Sequence, residues 1–112
     1  MERKKELKAI YKQMKPDMGV YAFTCLPTGK KYIGCAKNIK GKMNSNVFQL
    51  NMGAHRNKSM QEEWKMYGRE SFSLETIELL EYDKDESKTD YTEELEILLN
   101  MCKESFRGVE EI

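Results

Sequence analysis

The alternation of apolar and polar residues near the start of the chain predicts a β-hairpin. Residues 20–25 alternate weakly and are rich in aromatic and β-branched side chains, a composition typical of a strand. A Pro27-Thr28-Gly29 turn follows, and residues 31–34 form the returning strand. The pattern therefore predicts two short strands that lie side by side and are joined by a tight turn.

The position of the turn predicts the register of this hairpin. If the loop is centred on Thr28-Gly29 with an even number of residues, Tyr32 lies opposite Cys25. Tyr21 and Tyr32 then project from the same face of the sheet, because side chains alternate from one face to the other along a strand.

The rest of the chain predicts helices and one more strand. The further elements are, in order, a helix over 38–50, a loop over 51–58, a helix over 59–68, a strand over 71–80, an acidic loop over 81–90 and a helix over 89–105. Asn38 and Ser59 are suitable N-caps for the first two helices, and Gly68 is a suitable stop. Together these elements predict an α+β domain with a small three-stranded, mainly antiparallel sheet flanked by helices.

Before the hairpin, the sequence predicts an additional amphipathic helix from Arg3 to Lys15. Its apolar stripe, spaced i, i+3, i+4 and i+7, consists of Leu7, Ile10, Tyr11 and Met14. The helix ends before Pro16, because proline disfavours helical backbone angles in the residue ahead of it. We predict that residues 1–15 form a helix packed on the domain, in preference to a partner-binding surface, and that residues 16–112 form the domain itself.

Length and composition limit the function classes that are possible. The 112 residues suffice for one compact domain but not for separate substrate and regulatory domains. No apolar run approaches the roughly 20 residues that cross a bilayer, so we expect a cytoplasmic protein without a membrane partner. The cysteines Cys25, Cys35 and Cys102 lack zinc-binding spacing and are expected to be reduced.

The net charge is zero, but the two signs are unevenly distributed. Residues 1–69 hold fifteen Lys and Arg against five acidic residues, and residues 70–112 hold four against fourteen, so the segments carry +10 and −10. The basic segment could contact phosphate groups, or the two segments could simply attract each other in the fold. The second interpretation is the more common one, because most charged side chains are merely solvated.

Two short motifs, whose tyrosines are eleven residues apart, carry the most specific signal in the chain. Gly19-Val20-Tyr21 lies in the first strand and Tyr32-Ile33-Gly34 in the second. A strand, a turn and a strand with these motifs resemble the opening hairpin of the GIY-YIG nuclease fold, in which Gly19 and Gly34 would be the motif glycines. The resemblance covers about residues 18–103, since Trp64-Lys65-Met66-Tyr67-Gly68 followed by Phe72 resembles the family's middle helix and third strand.

Two further segments narrow the resemblance. Residues 38–44 and 82–86 look, in their local sequence, like a divergent bacterial branch of the family. Proteins of that branch often carry a LuxR-like transcriptional regulator label, although this chain has no recognisable helix-turn-helix.

The resemblance implies a chemistry and assigns residues to it. Active members of the family hydrolyse DNA phosphodiesters with one divalent metal, which would be Mg²⁺ or Mn²⁺. By their positions in the motifs, Tyr21 would activate water and Tyr32 would support it. His55 lies where a loop histidine assists some members, although a lone loop histidine is more often just solvated. Glu94 matches the helical glutamate that holds the metal.

Glu94 has two neighbours of the same type. It precedes Ile97 and Leu98 by three and four residues, which places it at the edge of the buried face of its helix. One protein carboxylate with phosphate oxygens and waters can suffice for Mg²⁺. Glu93 and Glu96 leave the assignment open, and a solvated acidic helix face is the alternative.

The arginine that the resemblance implies is replaced. Family members use it to stabilise the charged phosphate, and the corresponding residue of this chain is Lys42. Lysine offers a compact charge on a flexible stem in place of a planar fork that grips two phosphate oxygens. Loss of one preorganised transition-state donor costs about a hundredfold to a thousandfold in rate. Lys42 therefore predicts feeble nuclease activity or none.

Other lysines near Lys42 in the sequence predict a phosphate-contacting patch. They are Lys30, Lys31, Lys37 and Lys40. Nonspecific nucleic-acid binding depends on such cations and weakens steeply with salt, whereas a solvated lysine face shows no such behaviour. If the patch exists, DNA is the expected partner.

These observations favour a degenerate GIY-YIG-like domain without efficient nuclease activity that retains nucleic-acid binding or a regulatory role. One alternative is an active metal-dependent DNA endonuclease in which Lys42 supplies the cation. A second alternative is a protein-interaction module, for which neither metal nor nucleic acid matters.

Overall fold

The computed structural model describes residues 15–112 and has an α+β fold. Its elements, in chain order, are β1 (Gly19–Cys25), β2 (Lys30–Ala36), α1 (Ile39–Asn51), α2 (Lys58–Tyr67), a 3₁₀ turn (Arg69–Ser71), β3 (Phe72–Leu79), α3 (Thr92–Ser105) and β4 (Glu110–Glu111). The α+β class predicted from the sequence is confirmed. Apart from Lys15, the predicted N-terminal helix lies outside the described residues. Within those residues, no helix combines the length and apolarity that a membrane span requires.

The sheet has the strand order β3-β1-β2-β4. β1 pairs antiparallel with β2 and with β3, whereas β4 runs parallel to β2 and pairs with it at Tyr32 and Ile33. The sequence predicts only the first three strands, because a strand of two glutamates carries no apolar alternation. The predicted sheet is therefore correct in its main strands and lacks one short edge strand.

The hairpin register differs from the prediction by two positions. Tyr32 lies opposite Phe23, and Cys25 lies opposite Lys30, because the loop is centred on Pro27-Thr28. The Gly29 N–H donates to the Cys25 carbonyl at 2.7 Å, and this closes the turn one residue earlier than predicted. A shift of two positions keeps every side chain on its face, so Tyr21 and Tyr32 share a face as predicted.

The two faces of the sheet pack against different helices. One face packs against α1 and α2. The buried cluster on this face includes Tyr21, Phe23, Tyr32 and Phe72 of the sheet, Leu50 of α1, and Met60 and Trp64 of α2. The opposite face packs Val20 and Ile33 against Leu99 and Cys102 of α3. Both motif tyrosines consequently lie between the sheet and α1 and α2, and α3 lies on the other side.

The helix ends show which residues cap them. The Asn38 side chain accepts a hydrogen bond from the Gly41 N–H at 3.0 Å and caps α1 as predicted. The predicted Ser59 cap of α2 is wrong, because Asn57 accepts from the Met60 N–H at 3.1 Å and the helix begins at Lys58. The Ser59 hydroxyl is thereby available for contacts with the sheet.

The remaining element ends differ by one to three residues from the prediction or agree with it. Gly68 follows the last residue of α2 with φ +83°, a value that favours glycine, so the predicted stop is confirmed. α3 begins at Thr92, three residues later than predicted, because the Asp90 carboxylate accepts from the Thr92 N–H and side chain. The chain before Thr92 is thus held in a turn.

Candidate functional site

The Tyr21 phenol lies inside the domain, directly over the backbone of Gly34. A Cβ atom on Gly34 would lie 2.9 Å from Tyr21 Oη and 3.0 Å from Cζ, so any larger residue would displace the ring. Gly19 has φ +151°, and a Cβ there would lie 2.1 Å from the Glu78 carbonyl oxygen. The first motif glycine therefore allows β1 to approach β3, and the second leaves space for the tyrosine.

A buried chain of hydrogen bonds connects Tyr21 with His55 through Asn46. His55 Nδ1 accepts from the Asn57 N–H at 3.0 Å, so Nε2 carries the ring hydrogen and donates to Asn46 Oδ1 at 2.7 Å. Asn46 Nδ2 donates to Tyr21 Oη at 3.1 Å and to the Lys42 carbonyl at 2.9 Å. Since Tyr21 Oη accepts from Asn46, the phenol's own hydrogen is not used in this bond.

Burial fixes the protonation of the two ends of this network. Tyr21 is 1 % exposed, and burial raises the pKa of its phenol although the hydrogen bond from Asn46 opposes the shift. Burial also lowers the pKa of His55, which is 7 % exposed, and the positive charges of Arg56 and Lys42 lower it further. At neutral pH, Tyr21 is therefore a neutral phenol and His55 a neutral imidazole.

Asn46 is a site residue that the sequence analysis missed. It is 4 % exposed and lies on the inner face of α1 together with Ile39, Met43 and Leu50. A single polar residue in an apolar stripe with spacing i, i+4, i+7 and i+11 is the signal that identifies it. A buried amide needs partners, and those partners are Tyr21 and His55.

A groove opens beside this network, between the end of β2 and the first turns of α1. Its volume is about 400 Å³, and it is lined by Cys35, Ala36, Lys37, Asn38, Gly41, Lys42 and Ser45. Lys42 is exposed, and within residues 15–112 its ammonium group makes no hydrogen bond or ion pair. The groove thus offers an open cation within one helical turn of the Asn46 amide.

The predicted lysine patch is divided by the fold. Lys37 lines the groove with Lys42, and its ammonium group donates to the Thr89 carbonyl. Lys40 is exposed in the first turn of α1 but does not line the groove. Lys31 lies on the opposite face of the sheet, with Nζ 2.6 Å from a Glu75 carboxylate oxygen.

The Tyr32 phenol has a different set of partners from Tyr21. It is fully buried and donates a hydrogen bond to Glu63 Oε1, and its Oη lies 3.0 Å from Ser59 Oγ. Burial, together with the hydrogen bond to Glu63, raises the pKa of Tyr32 to about 12. Within the described residues, no hydrogen bond connects Tyr32 with the network of Tyr21, Asn46 and His55.

Glu94 lies in the first turn of α3, the helix whose Leu99 and Cys102 pack on the other face of the sheet. Its Oε1 is 3.1 Å from Lys88 Nζ, whereas Oε2 is buried and has no hydrogen-bond partner in the described part of the chain. A buried carboxylate oxygen without a partner fits a hard divalent cation. Glu93 and Glu96 are exposed and have no such buried oxygen. Among residues 15–112, no three metal-ligating side chains of the His, Cys, Asp or Glu type come together.

The structure therefore brings together only part of the residue set assigned from sequence. Tyr21 and His55 meet through Asn46, which also donates to the backbone carbonyl of Lys42, and Gly34 makes room for Tyr21. In the described chain, no hydrogen bond or ion pair connects Glu94 with any of these three. The groove itself offers the lysine side chains Lys37 and Lys42 to an anionic ligand.

Comparison with solved structures relates this arrangement to a known fold. The catalytic domain of the homing endonuclease I-TevI matches with a TM-score of 0.68 and 19 % identity, over 85 % of this chain and 97 % of that domain. A point mutant of the intron endonuclease I-TevI catalytic domain matches with a TM-score of 0.55 and 25 % identity, over 62 % and 70 % of the two chains. No protein-family model and no curated protein matches the sequence. The described chain thus has a GIY-YIG nuclease-like fold.

Proposed function

We propose that this domain binds the phosphodiester backbone of DNA in the groove beside α1 and has lost efficient nuclease activity. The observation that carries the proposal is Lys42, which lies in the groove where the family resemblance places an arginine. Lys37 lines the same groove, so a phosphate there would meet two lysine side chains.

The loss of activity follows from the chemistry of the cation. A guanidinium group binds two phosphate oxygens at once and in a fixed plane. An ammonium group on a flexible four-carbon stem fixes neither its distance from the phosphate nor the angle of approach. Lys42 can therefore attract a phosphate nearly as well as arginine would, but it is a poorer donor to the charge that develops in the transition state. Binding survives such a replacement better than catalysis does.

A second candidate function is an active, metal-dependent DNA endonuclease. The observation that favours it is the complete hydrogen-bond network that holds Tyr21 against Asn46 and His55. In this reading Tyr21 orients the attacking water, Lys42 stabilises the phosphate, and Glu94 would hold Mg²⁺ or Mn²⁺ through its unpartnered oxygen. A bound divalent cation would supply Lewis-acid stabilisation of the phosphate.

Cleavage of supercoiled plasmid in Mg²⁺ or Mn²⁺ distinguishes the two candidates. We expect little or no nicking by the wild type and about a hundredfold more by Lys42→Arg, because the substitution restores a preorganised donor. Lys40→Arg is the matched control, since Lys40 is on the same helix and does not line the groove. Vigorous cleavage by the wild type that Tyr21→Phe and Glu94→Ala abolish would establish the endonuclease instead.

DNA binding is tested separately, by fluorescence anisotropy with labelled duplex DNA across a salt series. The Lys42→Gln variant should bind more weakly, and the slope of log affinity against log salt should decrease in magnitude by about 0.9 for one lost phosphate contact. Lys31→Gln is the control, because Lys31 is paired with Glu75 on the other face. If the wild type binds no better than a protein without basic patches, DNA is not the partner.

A further inference from the structure

The Tyr32 phenol belongs to a cluster of polar groups between β2 and the first turns of α2. Lys30 Nζ can only donate, so Ser59 Oγ accepts from it at 2.8 Å, which leaves the Ser59 hydrogen for Tyr32 Oη. The Glu63 carboxylate can only accept, so it takes the phenol hydrogen. The donor and an acceptor site of Tyr32 are therefore both occupied.

Glu63 also binds the hairpin turn. Its second oxygen, Oε2, accepts from Thr28 Oγ1 at 2.6 Å, and Thr28 Oγ1 in turn accepts from the Lys30 N–H at 3.2 Å. One carboxylate on α2 thus joins the turn and the second strand of the hairpin. Because both oxygens of Glu63 have fixed donors, the carboxylate cannot rotate away from Tyr32 without losing a second hydrogen bond.

We propose that Glu63 is a positioning residue that fixes Tyr32 as a hydrogen-bond donor and removes it from proton-acceptor chemistry. This inference rests on the proposed function and deepens it, because it leaves Tyr21 as the motif tyrosine whose hydrogen is not held by a carboxylate. It concerns a carboxylate that neither motif contains. In this chain, the second motif tyrosine is thus held in a contact of its own, separate from the network of Tyr21, Asn46 and His55.

The charges around the phenol agree with this assignment. Four titratable groups of the described residues lie around the Tyr32 phenol and the Glu63 carboxylate that accepts from it. They are Glu63 itself from α2, Lys30 from β2, Cys25 from β1, and Glu110 from β4. Glu110 takes part through its 2.8 Å ion pair with Lys30. Burial opposes ionisation of Glu63, but hydrogen bonds from Thr28 and Tyr32 outweigh it and lower the pKa of this carboxyl. The proton therefore stays on Tyr32.

The test is the ionisation of Tyr32, measured by tyrosinate absorbance in the folded protein. The signal of Tyr32 is the difference between each protein and its Tyr32→Phe counterpart. At about pH 11, we expect about a tenth of Tyr32 to be ionised in the wild type and a several-fold larger fraction in Glu63→Gln. Glu62→Gln is the control, because Glu62 is an exposed neighbour on the same helix.

An unchanged ionised fraction in folded Glu63→Gln would overturn the proposal. If that variant does not fold, the reciprocal measurement uses Tyr32→Phe alone: the carboxyl pKa of Glu63, followed by carbon NMR, should rise when the phenol donor is removed. A carboxyl pKa that stays the same also overturns it. Neither measurement depends on DNA or cleavage, so the proposed function can fail while this inference holds, and the reverse.

Discussion

Replacement of Asn46 by alanine should destabilise the domain strongly, because this one amide satisfies two buried groups. The change removes the bonds to Tyr21 Oη at 3.1 Å and to His55 Nε2 at 2.7 Å, and leaves both partners buried without the Asn46 amide. Each unsatisfied buried group costs about 1–3 kcal/mol. Alanine regains roughly 0.5 kcal/mol through its higher helix propensity. We therefore expect a net loss of about 2–5 kcal/mol in the free energy of unfolding.

Urea denaturation followed by circular dichroism measures this loss. With a slope of about 1–3 kcal/mol/M, the midpoint should fall by at least roughly 0.7 M. Asn44→Ala is the matched control, because Asn44 is exposed on the same helix and gains the same propensity. If Asn46→Ala unfolds within about 0.5 kcal/mol of Asn44→Ala, then the network does not contribute to stability and the argument from buried hydrogen bonds is refuted.

Three other outcomes follow from the same site. Because the folded pKa of His55 lies below its ordinary value of 6.5, the unfolded chain binds more protons in acid. The free energy of unfolding should therefore fall as pH drops below about 6.5. In His55→Gln, denaturation series should lose this slope between about pH 7.5 and 5.5, and an unchanged slope would assign it to other groups. Gly34→Ala should cost about 1–3 kcal/mol by displacing the Tyr21 ring, and wild-type stability in denaturation would contradict the packing argument. Lys31→Gln should leave DNA affinity in anisotropy titrations unchanged, whereas Lys42→Gln lowers it; equal losses would show that the groove is not the binding surface.

The hairpin shows which parts of the fold can be read from sequence. Alternation along 20–25 and 31–34 identifies both strands, because each strand shows its own period of two. The register depends on how Gly29 closes on Cys25, a matter of turn geometry that composition leaves open. The two-residue β4 has no period at all, and forms only because β2 offers it an edge.

The candidate site divides in the same way. Tyr21, Lys42 and His55 are identified by motif and spacing. Asn46, which connects Tyr21 with His55, lies 25 residues from Tyr21 and 9 residues from His55 in the sequence. The position of Asn46 on an apolar stripe predicts that it is buried. It does not predict which tyrosine Asn46 contacts. Glu63 carries no comparable signal, because a glutamate in the middle of a polar helix is ordinarily a solvated side chain.

The sequence by itself determined the helices and main strands, the shared face of Tyr21 and Tyr32, and the lysine in place of arginine. These are local properties, since period, capping and residue identity act over a few positions. Only the tertiary structure decided which groups the two phenols meet and on which side of the sheet α3 packs. Those contacts join residues 25 to 31 positions apart, and they depend on how whole helices pack against the sheet.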